Sequence, residues 1–149
     1  MNCRFTLVPS EFFSGDSARE LLGKVVSLKD GEPLSFLDVP QQNAVLIYAG
    51  DERPVVYDML MSQHKMRGYN KILFCWKEGS LALTVSQGER LMLCNCFRAP
   101  DFDTAQYYIF MVLRSLQINP EVSSIWSFGE LFPDGRMSLY NYFKTVEEI

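Results

Sequence analysis

Three short β patterns follow one another with no helix between them, and they limit the fold of this chain more than any other feature. They are residues 71–76, 81–85 and 91–97, in which apolar side chains tend to alternate with a period of two. The segments between them, residues 77–80 and 87–89, have hairpin lengths and contain a glycine for a positive φ angle. We therefore predict three antiparallel strands joined by two hairpins.

A helix, a strand and a second helix follow these strands. Asp103, with Gln106 three residues later, resembles a capping box and predicts the start of the first helix. Residues 122–128 then predict a strand that ends at Gly129, and a last helix is expected over 137–147. The order β-β-β-α-β-α is that of a ribonuclease-H-like half-domain, the unit that actin-like ATPases contain twice. The predicted class is therefore α/β, with a mixed sheet of the α+β type.

The first part of the chain predicts a smaller unit of a related kind. Residues 44–49 are apolar without alternation, as in a central strand that is covered on both faces. Strand and helix patterns precede them, and a helix that starts near Pro54 follows. We predict that residues 1–66 are a partial first half-domain with the order β-α-β-α. Residues 67–149 are then the second half-domain, which is expected to lack its final strand.

Composition and charge exclude several classes of function. The net charge of -4 argues against a nucleic-acid surface, which needs clustered Lys and Arg side chains. No run of apolar residues is long enough to cross a membrane, and the start of the chain has no signal-peptide pattern. With one histidine and no C-x-x-C motif, the chain predicts no metal site. We expect a cytoplasmic protein that binds neither nucleic acid nor membrane.

Several short segments, scattered along the chain, form a recognisable set. They are Phe5-Thr6-Leu7-Val8-Pro9, Phe12-Phe13, Leu93-Cys94-Asn95-Cys96-Phe97 with Asp103, Tyr107-Tyr108-Ile109, and Ser127-Phe128-Gly129-Glu130. Together they resemble a known bacterial family, catalogued as domain of unknown function 3822, whose members have an actin-like ATPase fold. Because members of that family are longer, this chain looks like a shortened relative or a fragment. The family has no established activity, so the resemblance implies a fold and no reaction.

The resemblance also implies where a nucleotide would bind. Actin-like ATPases bind phosphate with the hairpin between the first two strands of each half, which typically has an acidic residue and a glycine. Here that hairpin has Lys77, which would contact phosphate, Glu78, which would lie near Mg²⁺, and Gly79. Gly129 and Glu130 would lie at the nucleoside. These five residues bind a cofactor only if the protein binds ATP with Mg²⁺; otherwise they are ordinary turns.

The departures from the family pattern favour a protein without catalysis. No Asp precedes Gly79, and Gly129 stands alone where the adenosine turn usually has paired glycines. The first strand, residues 71–76, contains no carboxylate, whereas a two-metal nuclease requires one there. We therefore expect no catalytic residue and no cofactor, and predict a binding or scaffold module that contacts another protein or itself. The alternative is a divergent ATP-binding phosphotransferase or ATPase.

Overall fold

The computed structural model describes all 149 residues, which form two compact units. The N-terminal unit is Met1–Met61 and the C-terminal unit is Ser62–Ile149. The sequence places the boundary after residue 66, but Gln63 already belongs to the second unit. Its side-chain Oε1 accepts a hydrogen bond of 3.1 Å from Ser86 Oγ inside the C-terminal unit. This buried bond joins Gln63 to the second sheet, five residues before Gly68, the glycine in the polar segment between the two units.

The N-terminal unit is built on a three-stranded antiparallel sheet with the order β1-β3-β2. Its central strand is the apolar segment at residues 44–49, as the sequence predicts, and nearly all of its side chains are buried. A strand buried on both faces needs no alternation of apolar and polar residues. The elements are β1 (Phe5–Pro9), α1 (Ala18–Gly23), β2 (Leu34–Val39), β3 (Ala44–Ala49) and α2 (Val55–Ser62).

The C-terminal unit contains a five-stranded mixed sheet with the order β6-β5-β4-β7-β8. The first three strands form the predicted antiparallel meander, and β7 and β8 extend it in parallel with β4. The predicted order β-β-β-α-β-α is therefore confirmed. The elements are β4 (Asn70–Lys77), β5 (Ser80–Gln87), β6 (Arg90–Arg98), α3 (Phe102–Ser115), β7 (Ser124–Ser127), α4 (Pro133–Tyr140) and β8 (Thr145–Glu148).

The end of the chain differs from the prediction of a helix over 137–147. Helix α4 begins earlier, with Pro133 at its first turn, and ends at Tyr140. Residues Thr145–Glu148 instead form β8, which pairs in parallel with β7 and places Val146 opposite Ile125. The final strand of the half-domain is thus present, and the prediction that it is lacking was wrong. A four-residue strand is too short to show a period, and burial of Val146 in the core determines its conformation.

The main core of this unit lies on one face of the sheet. Alternate side chains of β4 and β5 pack there with the buried faces of α3 and α4. The start of α3 also differs from the prediction, because its N-cap is Asp101, whose carboxylate accepts the backbone N–H of Thr104 at 2.7 Å. Gln106 instead accepts a 2.7 Å hydrogen bond from Ser138 Oγ of α4. Gln106, which the sequence pattern placed in a capping box, therefore connects α3 to α4.

Candidate functional site

The candidate site lies at one end of the C-terminal sheet, where four strands finish. Strands β4, β7 and β8 are parallel, and β6 runs in the same direction because both β4 and β6 are antiparallel to β5. Their last residues, Lys77, Arg98, Ser127 and Glu148, therefore lie at the same end. In open α/β sheets ligands bind outside the carboxyl ends of the strands, so a ligand of this protein is expected at this end.

The predicted phosphate hairpin is a tight two-residue turn. Lys77 pairs with Ser80, and the turn residues Glu78 and Gly79 have φ angles of 54° and 73°. Two positive φ angles fit a type I′ turn, whose second position favours glycine. The carbonyl of Gly79 accepts the N–H of Ala99 at 2.9 Å, and the side chains of Lys77 and Glu78 are exposed.

The predicted adenosine turn lies at the same end of the sheet. Gly129 has a φ of 91°, and its N–H donates to the carbonyl of Ile149 at 3.0 Å. The preceding residue, Phe128, donates its N–H to the carbonyl of Phe74 at 2.7 Å. Phe74 pairs with Ser127, and Glu78 lies four residues beyond Phe74 whereas Gly129 lies two residues beyond Ser127. The hairpin turn therefore extends about 7 Å further along the strand direction than Gly129. The structure thus places both predicted segments at one end of the sheet, but the hairpin turn lies further along the strand direction than Gly129.

Three aromatic rings pack against one another at this end, and we call them the aromatic cluster: Trp76, Phe102 and Phe132. The ring centroids are 5.3 Å apart for Trp76 and Phe102, 5.0 Å for Phe102 and Phe132, and 5.8 Å for Trp76 and Phe132. Trp76 Nε1 donates a 2.8 Å hydrogen bond to the carbonyl of Ala99. These distances are those of packed rings, so the aromatic cluster fills the space between the ends of β4, α3 and α4.

A glycine in α4 makes room for one ring of the aromatic cluster. A Cβ atom on Gly135 would lie 2.7 Å from two ring carbons of Phe132, closer than real Cβ atoms approach other atoms. Glycine is a poor helix former, so its place inside an eight-residue helix has a cost in stability. The packing of Phe132 over Gly135 explains why the larger side chain of alanine does not fit here.

Neither helix at this end offers a free N-terminus to a phosphate group. In α3 the carboxylate of Asp101 accepts the N–H of Thr104, and this bond lowers the pKa of Asp101. The N-terminus of α3 therefore already holds a negative charge. In α4 the first residue is Pro133, which has no N–H, and Asp134 follows it. Anion sites at helix ends need free N–H groups and no competing carboxylate, and both conditions fail here.

The side-chain carboxylate of Glu148 also has partners within the protein. Arg136 of α4 forms an ion pair with Glu148 of β8, which lowers the pKa of that carboxyl, and the N–H of Leu131 donates to the same oxygen at 3.3 Å. The guanidinium of Arg136 also donates to the carbonyl of Val146 at 2.9 Å. These bonds hold α4 against the edge strand β8, so Glu148 serves the fold.

The cysteines and acidic residues form no recognisable metal centre. No group of three or more His, Cys, Asp or Glu side chains is arranged to hold a metal ion. Burial raises the pKa of the Cys94 thiol to about 12. A thiol in that state is protonated at neutral pH, and it is neither a nucleophile nor a metal ligand.

Both tryptophans of the chain, Trp76 and Trp126, lie near strand ends, where ligands bind in sheets of this kind. Trp76 belongs to the aromatic cluster, whereas Trp126 pairs with Leu73 on the other face of the sheet. Phe102 and Phe132 were missed because they flank helix starts, where no periodicity marks a residue that packs against its neighbours; Phe132 also stays 40% exposed. The sequence feature that could have identified Phe132 is Pro133 directly after it. Proline favours the first position of a helix, so the residue before it lies at the helix start.

Comparisons with known proteins agree with this fold. A family model described as "Protein of unknown function (DUF3822)" matches residues 53–146. A solved structure from Bacteroides thetaiotaomicron VPI-5482, described as a protein with actin-like ATPase fold and unknown function, matches with a TM-score of 0.80 at 18% sequence identity. The match covers 99% of this chain and 65% of that one, so this chain spans about two thirds of the solved protein. The comparison with curated proteins finds no match.

None of the helices combines the length and the apolar character that crossing a membrane requires.

Proposed function

This chain belongs to the DUF3822 family of proteins of unknown function, and we propose that it is a non-catalytic binding module that contacts another protein or a second copy of itself. The proposal combines the actin-like ATPase fold with a sheet end that is closed by side chains. A module of this kind has no cofactor, and its function is carried by its outer surface.

The aromatic cluster is the observation that supports this proposal. Trp76, Phe102 and Phe132 occupy the carboxyl end of the sheet with ring centroids 5.0 to 5.8 Å apart. A nucleotide at this end needs an open cleft and donors that face its phosphates. The packed rings leave no cleft among themselves, and the carboxylate of Asp101 repels a phosphate at the start of α3.

The outer side of the helices offers a surface for a protein partner. Tyr107 and Met111 lie one turn apart on α3, and Tyr107 is 63% exposed. Beside them Phe110 packs against Tyr142, whose ring centroid is 4.9 Å away and which is half exposed. Neighbouring exposed aromatic and Met side chains are typical of protein interfaces. We propose that this surface, Tyr107, Phe110, Met111 and Tyr142, contacts the partner.

We also propose a cytoplasmic protein that does not bind nucleic acid. No disulfide bond joins any two of the four cysteines, which fits a reducing compartment. The net charge of -4 opposes binding to the phosphates of DNA or RNA.

Calorimetric titration with Mg-ATP tests the absence of a nucleotide site. We expect no saturable heat up to millimolar nucleotide. Saturable binding at micromolar concentration that disappears in Lys77→Ala would overturn the proposal. The matched control is Lys144→Ala, another exposed lysine of the C-terminal unit, which precedes β8 and lies away from the hairpin.

Light scattering over a wide range of protein concentration tests self-contact. If the partner is a second copy, the mass exceeds that of a monomer, and the double variant Tyr107→Lys/Met111→Lys reduces it. Val122→Lys is the control, because Val122 is 68% exposed but lies outside the proposed surface. A monomer mass at every concentration would leave a different protein as the partner.

The position of the two turns favours a second candidate function, a divergent ATP-binding phosphotransferase or ATPase. The hairpin with Lys77, Glu78 and Gly79 lies at the same end of the sheet as Gly129 and Glu130. In this alternative Lys77 contacts phosphate and Glu78 lies near Mg²⁺. The same titration separates the two candidates, because this alternative requires magnesium-dependent binding that weakens in Glu78→Gln.

A further inference from the structure

The outer edge of the C-terminal sheet is formed by β6, which pairs only with β5. On an edge strand, alternate backbone N–H and C=O groups face away from the sheet and can pair with another chain. Strand β6 is nine residues long and mostly apolar between its ends. Such an edge is a template for unwanted strand addition unless something blocks it.

One polar side chain occupies a backbone donor in the middle of this edge. The backbone N–H of Cys96 donates to the side-chain Oδ1 of Asn95 at 2.8 Å. Asn95 is exposed, whereas its neighbours on β6 are partly buried. The side chain of Asn95 therefore holds a donor that an incoming strand would need.

Two other features of β6 oppose pairing in the same way. The register with β5 shifts at Met92, since Val85 pairs with Leu93 but Ser86 pairs with Leu91, and such a bulge twists an edge. Exposed arginines stand at both ends of the strand, Arg90 and Arg98. If two copies paired antiparallel about Cys94, the bulge would place Arg90 of each copy within about one residue of Arg98 of the other, and like charges would repel.

From these features we propose that Asn95 guards the free edge of the sheet against strand addition, and that its removal opens β6 to pairing with β6 of a second copy. The bulge ends the regular edge at Met92, the arginines oppose the antiparallel register, and Asn95 blocks the segment between them. This role is independent of the proposed function, because it concerns the sheet edge and the proposed partner surface lies on the helices.

The decisive variant is Asn95→Ala in the full chain, compared with the wild type by light scattering at equal concentrations. We expect the mass to double with increasing concentration relative to the wild type. Asn95→Asp keeps an acceptor for the N–H of Cys96 and is expected to have the wild-type mass. Asn119→Ala is the matched control, since Asn119 is also exposed and its Oδ1 also accepts a backbone N–H, that of Glu121 at 3.0 Å, away from β6.

Charge reversal sharpens the test. In Asn95→Ala/Arg98→Glu, antiparallel pairing would bring a carboxylate close to Arg90, so we expect association at lower concentration than in Asn95→Ala alone. Hydrogen exchange gives an independent readout, because the amide of Cys96 should exchange on the order of tenfold faster in monomeric Asn95→Ala after it loses its acceptor.

Three results would overturn the proposal. The first is an Asn95→Ala protein with the wild-type mass at every concentration. The second is equal association of Asn119→Ala, which would show a general loss of stability. The third is an unchanged exchange rate at Cys96 in monomeric Asn95→Ala. Circular dichroism confirms folding beforehand, and loss of fold in a variant of this exposed residue would also count against a role confined to the edge.

Discussion

The two units of this protein are stabilised in different ways. The C-terminal unit has a large core on one face of a five-stranded sheet, and the aromatic cluster extends this core to the end of the strands. In the N-terminal unit a smaller buried cluster lies between the sheet and α1, and other side chains, among them Leu46, Val56 and Met59, are buried outside it. There an ion pair between Arg4 and Glu32 connects the first strand to the loop before β2.

The ion pair is part of a network that connects the loops of the N-terminal unit. Arg4 donates to both carboxylate oxygens of Glu32, at 2.6 and 2.9 Å, and also to the carbonyl of Ser27 at 2.8 Å. Glu32 accepts the N–H of Lys29 in turn at 3.1 Å. Small units bury a smaller fraction of their surface, so polar bonds between loops matter more in them. The comparison predicts that ring truncation weakens the C-terminal unit and that acid weakens the N-terminal unit.

The largest effect is expected for Trp76→Ala. This variant removes two ring contacts and the hydrogen bond to the carbonyl of Ala99, and it leaves a cavity at the end of the sheet. We expect the free energy of unfolding to fall by about 3 kcal/mol. Urea denaturation followed by circular dichroism measures it. Tyr107→Ala, an exposed aromatic residue of the same unit, should change it by less than about 0.5 kcal/mol; equal losses would show that the aromatic cluster has no special role.

Gly135→Ala is expected to change the free energy of unfolding by a smaller amount, and the sign of the change depends on whether Phe132 is present. In the wild type, Gly135→Ala pushes Phe132 out of the aromatic cluster, and we expect a net loss of about 1 kcal/mol despite the better helix propensity. In a Phe132→Ala background the ring is absent, so the same substitution should stabilise the helix by about 1 kcal/mol. A double-mutant cycle by urea denaturation measures the coupling. Additive effects would contradict the close packing of this pair.

A gain in stability is expected at the end of α3. Gln117 has a φ of 58° and follows the helix, and the N–H of Ile118 donates to the carbonyl of Leu113 at 2.9 Å, as in a Schellman motif. Glycine adopts this conformation without strain, so Gln117→Gly should stabilise the C-terminal unit by about 0.5 to 1 kcal/mol. Thermal unfolding measures the gain. The control is Gln87→Gly in a strand, which should destabilise the unit.

The smallest effect concerns the N-terminal unit and depends on pH. The bond to Arg4, with help from the N–H of Lys29, lowers the pKa of Glu32 from 4.5 to about 2. A lowered carboxyl pKa stabilises the folded state above pH 4.5, and this contribution is lost as pH falls from 4.5 towards 2. Thermal unfolding should therefore show a difference between wild type and Glu32→Gln that is greatest above pH 4.5 and disappears near pH 2.

Spectroscopy can assign that acid effect to one unit. Both tryptophans lie in the C-terminal unit, so tryptophan fluorescence reports on it, while circular dichroism reports on both units. We expect the Glu32→Gln difference in circular dichroism and not in fluorescence. Glu20→Gln, at an exposed site on α1, is the control. A difference that stays constant from pH 5 to pH 2 would contradict the lowered pKa of Glu32.

The sequence by itself determined the order of strands and helices from β4 to β7, whereas the order β-α-β-α predicted for the N-terminal unit leaves out β2. Hairpin lengths, glycines at positive φ and the periodicity of α3 are local properties, and each can be found in a short window. The central position of β3 also followed from local composition, since an unbroken apolar run must be covered on both faces. Local patterns also located Lys77, Glu78, Gly79, Gly129 and Glu130 in or beside turns; their role in binding a nucleotide stays a prediction.

Only the tertiary structure decided what lies at the end of the sheet. Strand β8 exists because Val146 fills the core beside β7, and the aromatic cluster forms because the chain returns Phe102 and Phe132 to Trp76 from distant positions. Such contacts join residues far apart in the chain, and no local period encodes them. The physical reason is that burial is a property of the assembled unit, whereas strand and turn propensities belong to neighbouring residues.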